Sequence, residues 1–167
     1  MLQIDHIRNL INDQLGAGSV ITINAMNHKM ANLEVYFNKI AEVCTLLHKS
    51  PCTYFDYLAC LTALDNGPLK NTLEVIYQLY SIPYDFQLMI KVVVARNKPN
   101  EPLPEIPSVS HIWQAANWLE REAYDLVGIR FKGHPDLRRI LLPDDWQGYP
   151  LRQDYSLQKD YHGLTTS

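Results

Sequence analysis

The residues with chemistry to offer gather in the last third of the chain, Glu120 to Leu157 (EREAYDLVGIRFKGHPDLRRILLPDDWQGYPLRQDYSL). Two carboxylates two residues apart, Glu120 and Glu122, raise the question of acid–base work, which needs a proton donor and an acceptor facing one substrate. On a helix, residues two apart point to nearly opposite sides. Glu122 and Asp125 share a side, and Arg121 and Asp125 are spaced for an ordinary ion pair. Structural pairing is therefore the expectation, with a stand-alone hydrolase built on the 120–154 carboxylates as the enzymatic alternative. His134, between Gly133 and Pro135, reads as a hydrogen-bonded turn residue, because neither His-x-x-x-His nor Glu-x-x-His supplies a second ligand. Gly128 and Gly133 lack the spacing of a phosphate loop, and no Gly-Lys-Ser/Thr occurs. Ser108 and Ser110 stand at a helix start rather than on a nucleophile elbow. Cysteines 44, 52 and 60 are odd in number with no Cys-x-x-Cys, so they read as buried thiols in a reducing cytoplasm. No catalytic, cofactor-binding or metal residue is expected.

What remains is paired charge. Five of the seven arginines lie in this stretch (Arg121, Arg130, Arg138, Arg139, Arg152), against one of the eight lysines, Lys132. Arginine's planar fork suits fixed pairing with carboxylates, and Glu120, Glu122, Asp125, Asp136, Asp144, Asp145 and Asp154 lie close by. Arg138, Arg139 and Arg152, with Trp146 and Tyr149, are residue types enriched at the centres of protein interfaces. The less specific alternative is a folded cap of paired surface charges.

The elements that must position these residues follow from periodicity. Apolar residues at helical spacing predict a helix ending at Gly16, and Val20, Ile21 and Ile23 predict a strand over 19–25. A turn over 27–32, with Asn32 as cap, leads into a predicted helix over 33–49, where Leu33, Phe37, Ile40, Cys44 and Leu47 form a stripe. Strands are predicted over 53–64, 73–81 and 86–96, joined by short turns into an antiparallel meander that this helix covers. Four prolines in 97–107 mark a stiff connector. Ser108 or Ser110 then caps a helix that ends at Gly128, and residues 129–131 make a brief strand. Pro135 and Asp136 open a helical turn, with Leu137, Ile140 and Leu141 inward and Arg138 and Arg139 outward. The fold class is α+β: a mostly antiparallel sheet of about four strands covered by helices, with an extended C-terminal tail. The boundaries are an α+β domain over 1–142 and a tail over 143–167 that docks on partner subunits and gains its order there.

Apolar content of 47% permits a core, and the net charge of −3 argues against nucleic acid as a partner. No apolar run reaches the ~18–20 residues of a membrane span. The N-terminus, with Asp5 and no basic region before a long apolar run, does not read as a signal peptide.

The same stretch carries a resemblance. Glu120-Arg121-Glu122, then Asp125–Val127, six residues, His134, three residues, Arg138, and Ile140–Leu141 resemble the signature of the 30-kDa subunit of respiratory complex I, the NADH:quinone oxidoreductase. The similarity continues through GHPDLRRIL at 133–141 and DDWQGYPLRQDY at 144–155, which include Gly133, Pro150, Leu151 and Arg152. Members of that family usually carry Lys where this chain has Gln153, and Pro where it has Ser156. The resemblance implies a peripheral-arm subunit without a redox centre of its own. It would buttress the quinone-cavity subunit near the subunit holding the terminal iron–sulfur cluster. The complex uses FMN, iron–sulfur clusters, NADH and a quinone, and couples their chemistry to proton pumping. The location implied for a bacterial chain is the cytoplasmic face of the cell membrane, held there through the complex. Related membrane-bound hydrogenases and ferredoxin- or plastoquinone-linked dehydrogenases use a similar subunit. The resemblance places the interface on Glu120, Arg121, Glu122, Asp125, Gly128, His134, Pro135, Asp136, Arg138, Arg139, Trp146, Pro150, Leu151, Arg152 and Asp154.

Overall fold

The structure, a computed structural model, describes residues 3–27, 30–98 and 100–165. Helix α1 (Ile4–Leu15) turns Ile7 and Ile11 into the core. Strand β1 (Val20–Asn27) pairs antiparallel with β2 (Met30–Val35). The expected helix over 33–49 is thus too long at its start. Only α2 (Ile40–Lys49) is α-helical, after a 3-10 turn at Phe37–Lys39. Ala31, Leu33 and Val35 are buried while Asn32 and Glu34 are less so, the period of two that a strand demands. Leu33 and Phe37 are four apart and fit a helical stripe equally well, but tertiary pairing with β5 decides. Asn32 accordingly lies inside β2 and caps nothing; residues 28 and 29 of the expected turn lie outside the described residues.

The meander forms as periodicity predicts: β3 (Tyr57–Asp65), a single helical turn α3 (Gly67–Lys70), β4 (Thr72–Ser81) and β5 (Phe86–Ala95), each strand antiparallel to the next. β3 starts later than expected because residues 53–56 are held as a loop. The Thr53 hydroxyl donates to the Leu47 carbonyl at 2.9 Å, and the Ser81 hydroxyl donates to the carbonyls of Thr53 and Tyr54. The main sheet has five strands in the order β1-β2-β5-β4-β3, antiparallel except for the β2–β5 pair. One face of β2 to β5 is apolar, with Leu73, Val75, Tyr77 and Leu79 of β4 alternating with half-exposed partners. It shares one core with Ile7 and Ile11 of α1 and with Ile40, Val43, Cys44 and Leu47 of α2. Each such buried Leu, Ile or Val contributes ~1.5–3 kcal/mol relative to exposure.

The proline-rich connector runs extended into β6 (Glu105–Pro107), which pairs in parallel with β7 (Arg130–Lys132). Helix α4 (Ala115–Val127) lies between them in sequence and packs against β3. Residues 133–159 follow without regular elements, ending in a small hairpin of β8 (Asp160–Tyr161) and β9 (Leu164–Thr165).

Candidate functional site

Helix α4 buries three charged residues, Glu120, Arg121 and Asp125, and each ties down a different piece of chain. Asp125 is fully buried. One of its oxygens accepts the N–H groups of Ile140, Leu141 and Leu142 at 3.0, 2.8 and 2.9 Å, and the other accepts Arg139 Nη1 at 2.7 Å. Burial pushes this carboxyl up, but the three N–H groups and the guanidinium together outweigh it and hold it below the usual carboxylate range. Arg139 also donates to the Trp146 and Gly148 carbonyls and lies over the Tyr149 ring.

Two expectations fail at this point. Arg121 does not pair with Asp125. Its Nε and Nη2 donate to the carbonyls of Arg138 and Arg139 at 3.2 and 3.1 Å, and its plane lies against Trp118. Nor do residues 135–141 form a helical turn with both arginines outward. A helix would need the N–H groups of 140–142 for its own carbonyls, and Asp125 takes all three. Arg139 therefore points inward and Arg138 outward, where it meets the exposed Asp136, while Leu141 is 63% exposed.

The C-terminal end of α4 makes a second anchor. Gly128 has φ 75° and ψ 53°, the left-handed cap that stops a helix. A Cβ here would also lie 2.8 Å from the Tyr149 ring. Arg152 stacks on the same ring and donates to the carbonyls of Val127 (2.8 Å) and Gly128 (3.2 Å) and to Asn97 Oδ1 (2.8 Å). The Leu151 N–H donates to the Leu126 carbonyl, so half-buried Pro150 is held between two fixed neighbours. Asp154 accepts Arg96, which also pairs with buried Asp65 at 3.2 Å, and Asp65 in turn accepts the Gln153 N–H. The stretch 149–154, expected to await a partner for its order, is bonded to its own domain.

Glu120 differs from Asp125 in having no cation bonded to it among the described residues. It is fully buried, accepting the Ser108 hydroxyl at 2.6 Å and the Val109 N–H at 2.7 Å. Burial raises its pKa to about 7 against the opposing pull of those two donors. Ser108, expected as a helix cap, instead closes the 108–110 loop onto α4, and the helix begins at Ala115 after an uncapping Gln114. Glu122 is exposed, so the two glutamates do not share a substrate position. Buried Cys44 and Tyr77 lie near Glu120. Burial, and then the Glu120 charge, raise the pKa of Cys44; burial, then Cys44, then Glu120 raise that of Tyr77. Cys52 is exposed and Cys60 half-buried, which corrects the expectation of three buried thiols. His134 accepts the Asp136 N–H on Nδ1, so Nε2 carries the proton donated to the Asn117 carbonyl at 3.0 Å: a turn residue, as its context predicts. Pro135 is exposed on that turn, and Trp146 is half-buried with its ring against Tyr161. Among the described residues no cluster of three potential metal ligands occurs. Sequence reasoning missed the roles of Asp65, Arg96 and Asn97, which lie far from the motif in sequence and carry no local signal of them, and gave Ser108 a capping role in place of its bond to Glu120.

The fold and its motif define an α+β domain whose densest group of charges clamps its own C-terminal segment. The family model described as respiratory-chain NADH dehydrogenase, 30 Kd subunit, matches residues 33–161, and the chain belongs to that family. It is 38% identical over 149 residues to the C subunit of the NADH-quinone oxidoreductase of Chlorobium phaeobacteroides, covering 88% of this chain and 86% of that one. The figure for the corresponding C subunit of Geobacter sulfurreducens is 41% over 145 residues, with 85% and 83% covered. Against the C subunit of Chloroherpeton thalassium identity is 50% over 111 residues, which is 66% of this chain but 43% of that longer protein. Among solved structures, a chain of the archaeal membrane-bound sulfane sulfur reductase superposes with a TM-score of 0.74 at 21% identity, over 92% of this chain and 85% of the other, which is a likeness of fold.

Proposed function

We propose that this chain is a non-catalytic subunit of the peripheral arm of a proton-pumping NADH:quinone oxidoreductase. In this reading it buttresses the quinone-cavity subunit beside the subunit that carries the terminal iron–sulfur cluster. FMN, the clusters, NADH and the quinone are then held by other chains, and this one stays on the cytoplasmic face through its partners. No described helix is long and apolar enough to cross a membrane.

The observation that carries the reading is where the motif charges go. Asp125, Arg121, Arg139 and Arg152 are bonded chiefly to backbone groups of residues 127–148, which gives architecture rather than a reacting centre. The clamp leaves Trp118, Leu141 and Leu151 outward, each more than half exposed. Such apolar groups beside fixed arginines are what a partner surface covers. The segment 143–167 is the proposed docking element, held near its start by Arg139 and further on by Arg152 and Asp154. The test is purification of the tagged chain from native membranes with mass spectrometry of what accompanies it. Stoichiometric recovery of the quinone-cavity and cluster-bearing subunits is expected. Recovery alone, or with hydrogenase or ferredoxin-linked dehydrogenase chains, overturns the reading.

A further inference from the structure

A cleft of about 540 Å³ opens where the C-terminal segment crosses the end of β5. Its charged lining is Arg96, Lys98, Arg152 and Asp154: three cations to one acid, in a chain whose net charge is −3. The single acid is already committed, since Asp154 is held by Arg96. Buried Asp65 is held by the same guanidinium. Among the described residues, that leaves Arg152 and Lys98 without a bonded carboxylate.

Arg152 uses Nε and Nη2 for three carbonyl-type acceptors, while Nη1 has no acceptor among the described residues. Burial and then the nearby Arg96 charge bring its pKa down from the ordinary arginine value, so the cation sits in surroundings that do not neutralise it. Lys98 is exposed and its ammonium makes no ion pair with a described residue; the Glu101 carboxylate beside it accepts the Lys98 backbone N–H instead, at 2.9 Å. Tyr149 and Tyr155 wall the cleft. A half-buried cation with a free donor edge and a second free cation are complementary to an anion. The cleft is open, unlike the enclosed sites that hold small molecules, and so fits a side chain presented by another polypeptide.

We propose that this cleft receives an acidic segment of a partner chain, a partner carboxylate meeting the free edge of Arg152 with Lys98 at the rim. The inference rests on the subunit role proposed above and names the chemistry of one contact within it.

The test uses the assembled complex in native membranes. A zero-length carbodiimide joins an amine to a carboxylate where the two come into contact, and an acetylating reagent reports how accessible Lys98 is. We expect an amide link from Lys98 to an Asp or Glu of another subunit, and slower acetylation of Lys98 in the complex than in the isolated chain. Lys98→Glu should lower incorporation about five-fold, the size of one reversed rim ion pair. Lys49→Glu, the same charge change at the exposed end of α2, should leave incorporation unaltered. The Lys98 ammonium holds no described residue of its own chain, so its variants test the cleft without unfolding it. If the chain is present in the complex, yet Lys98 is acetylated as fast as in the isolated chain and Lys98→Glu assembles like Lys49→Glu, the cleft proposal fails and the subunit reading stands. Protection of Lys98 that disappears on phospholipase treatment assigns the cleft to an anionic lipid and also overturns the proposal. Absence of the chain from the complex overturns the subunit reading itself.

Discussion

Replacing Glu120 by glutamine should change how stability depends on pH. The carboxyl has a pKa of about 7 in the folded chain and 4.5 as its reference value, and it is fully buried without a bonded cation. A raised pKa means that the folded state holds the proton more tightly. The associated stability is fully present below pH 4.5 and is lost as pH rises to about 7. A shift of that size is worth ~3 kcal/mol, of which ~2.5 kcal/mol is lost between pH 5 and pH 8. Glutamine keeps an acceptor for the Val109 N–H and offers an amide N–H to Ser108, but it does not titrate. Urea unfolding followed by circular dichroism at pH 5, 6, 7 and 8 measures both chains. The wild type should lose ~2.5 kcal/mol relative to Glu120→Gln over that range, while contributions from other groups cancel in the comparison. A difference between the two chains that stays constant with pH would refute the account of Glu120 as an unpaired buried acid.

The opposite sign is expected at Asp125, whose pKa is depressed: its stabilisation is present above the reference value of 3.8 and lost as pH falls through the lower folded value. Asp125→Asn should therefore flatten the acid limb of the unfolding curve below pH 4, and an unchanged limb counts against the clamp. The neighbouring arginines should separate cleanly. Arg139→Ala leaves buried Asp125 without its cation and should cost ~3–5 kcal/mol, whereas Arg138→Ala, at an exposed pair, should leave the urea midpoint where it was. Equal effects would mean that the inward–outward division is wrong. Gly128→Ala places a Cβ in the left-handed region and against the Tyr149 ring; a loss of ~1–3 kcal/mol with faster proteolysis within 143–155 is expected, and wild-type proteolysis would contradict the anchor.

Where information is local, the sequence is readable. The alternation in 72–81 and 86–95 and the turn at Asp65–Pro68 predict the meander, and Gly128 marks the end of α4 because a left-handed cap favours glycine. β2 escapes such a reading because Leu33 and Phe37 suit a helical stripe, and its parallel partner lies more than fifty residues further on. The clamp is legible as composition, not as geometry. Arginines among acids in a Gly- and Pro-punctuated stretch indicate fixed pairing, but Arg139 reaches Asp125 across 14 residues and Arg152 reaches Asn97 across 55. Helical spacing points Arg121 at Asp125, and only the folded path of 138–142 shows that those two residues grip successive pieces of the same segment from one helix.

The parallel β2–β5 pair imposes an order on folding. β4 and β5 meet through the short turn at 82–85, and β3 and β4 through α3, so the meander assembles from neighbours in the chain. β2 leaves at Val35 and finds its partner only once Phe86–Ala95 exists. Closing a loop of about fifty residues carries ~2 kcal/mol more entropy loss than closing one of four. The N-terminal hairpin therefore docks last, although the ribosome delivers it first, and until then the inner edge of β5 has unpaired backbone groups open to any extended strand. Pulse-labelled hydrogen exchange would register protection of 72–95 before 30–35. In a growing chain, the edge of β2 has no partner until residue 95 is made, and that edge is what a holding chaperone has to protect in the interval.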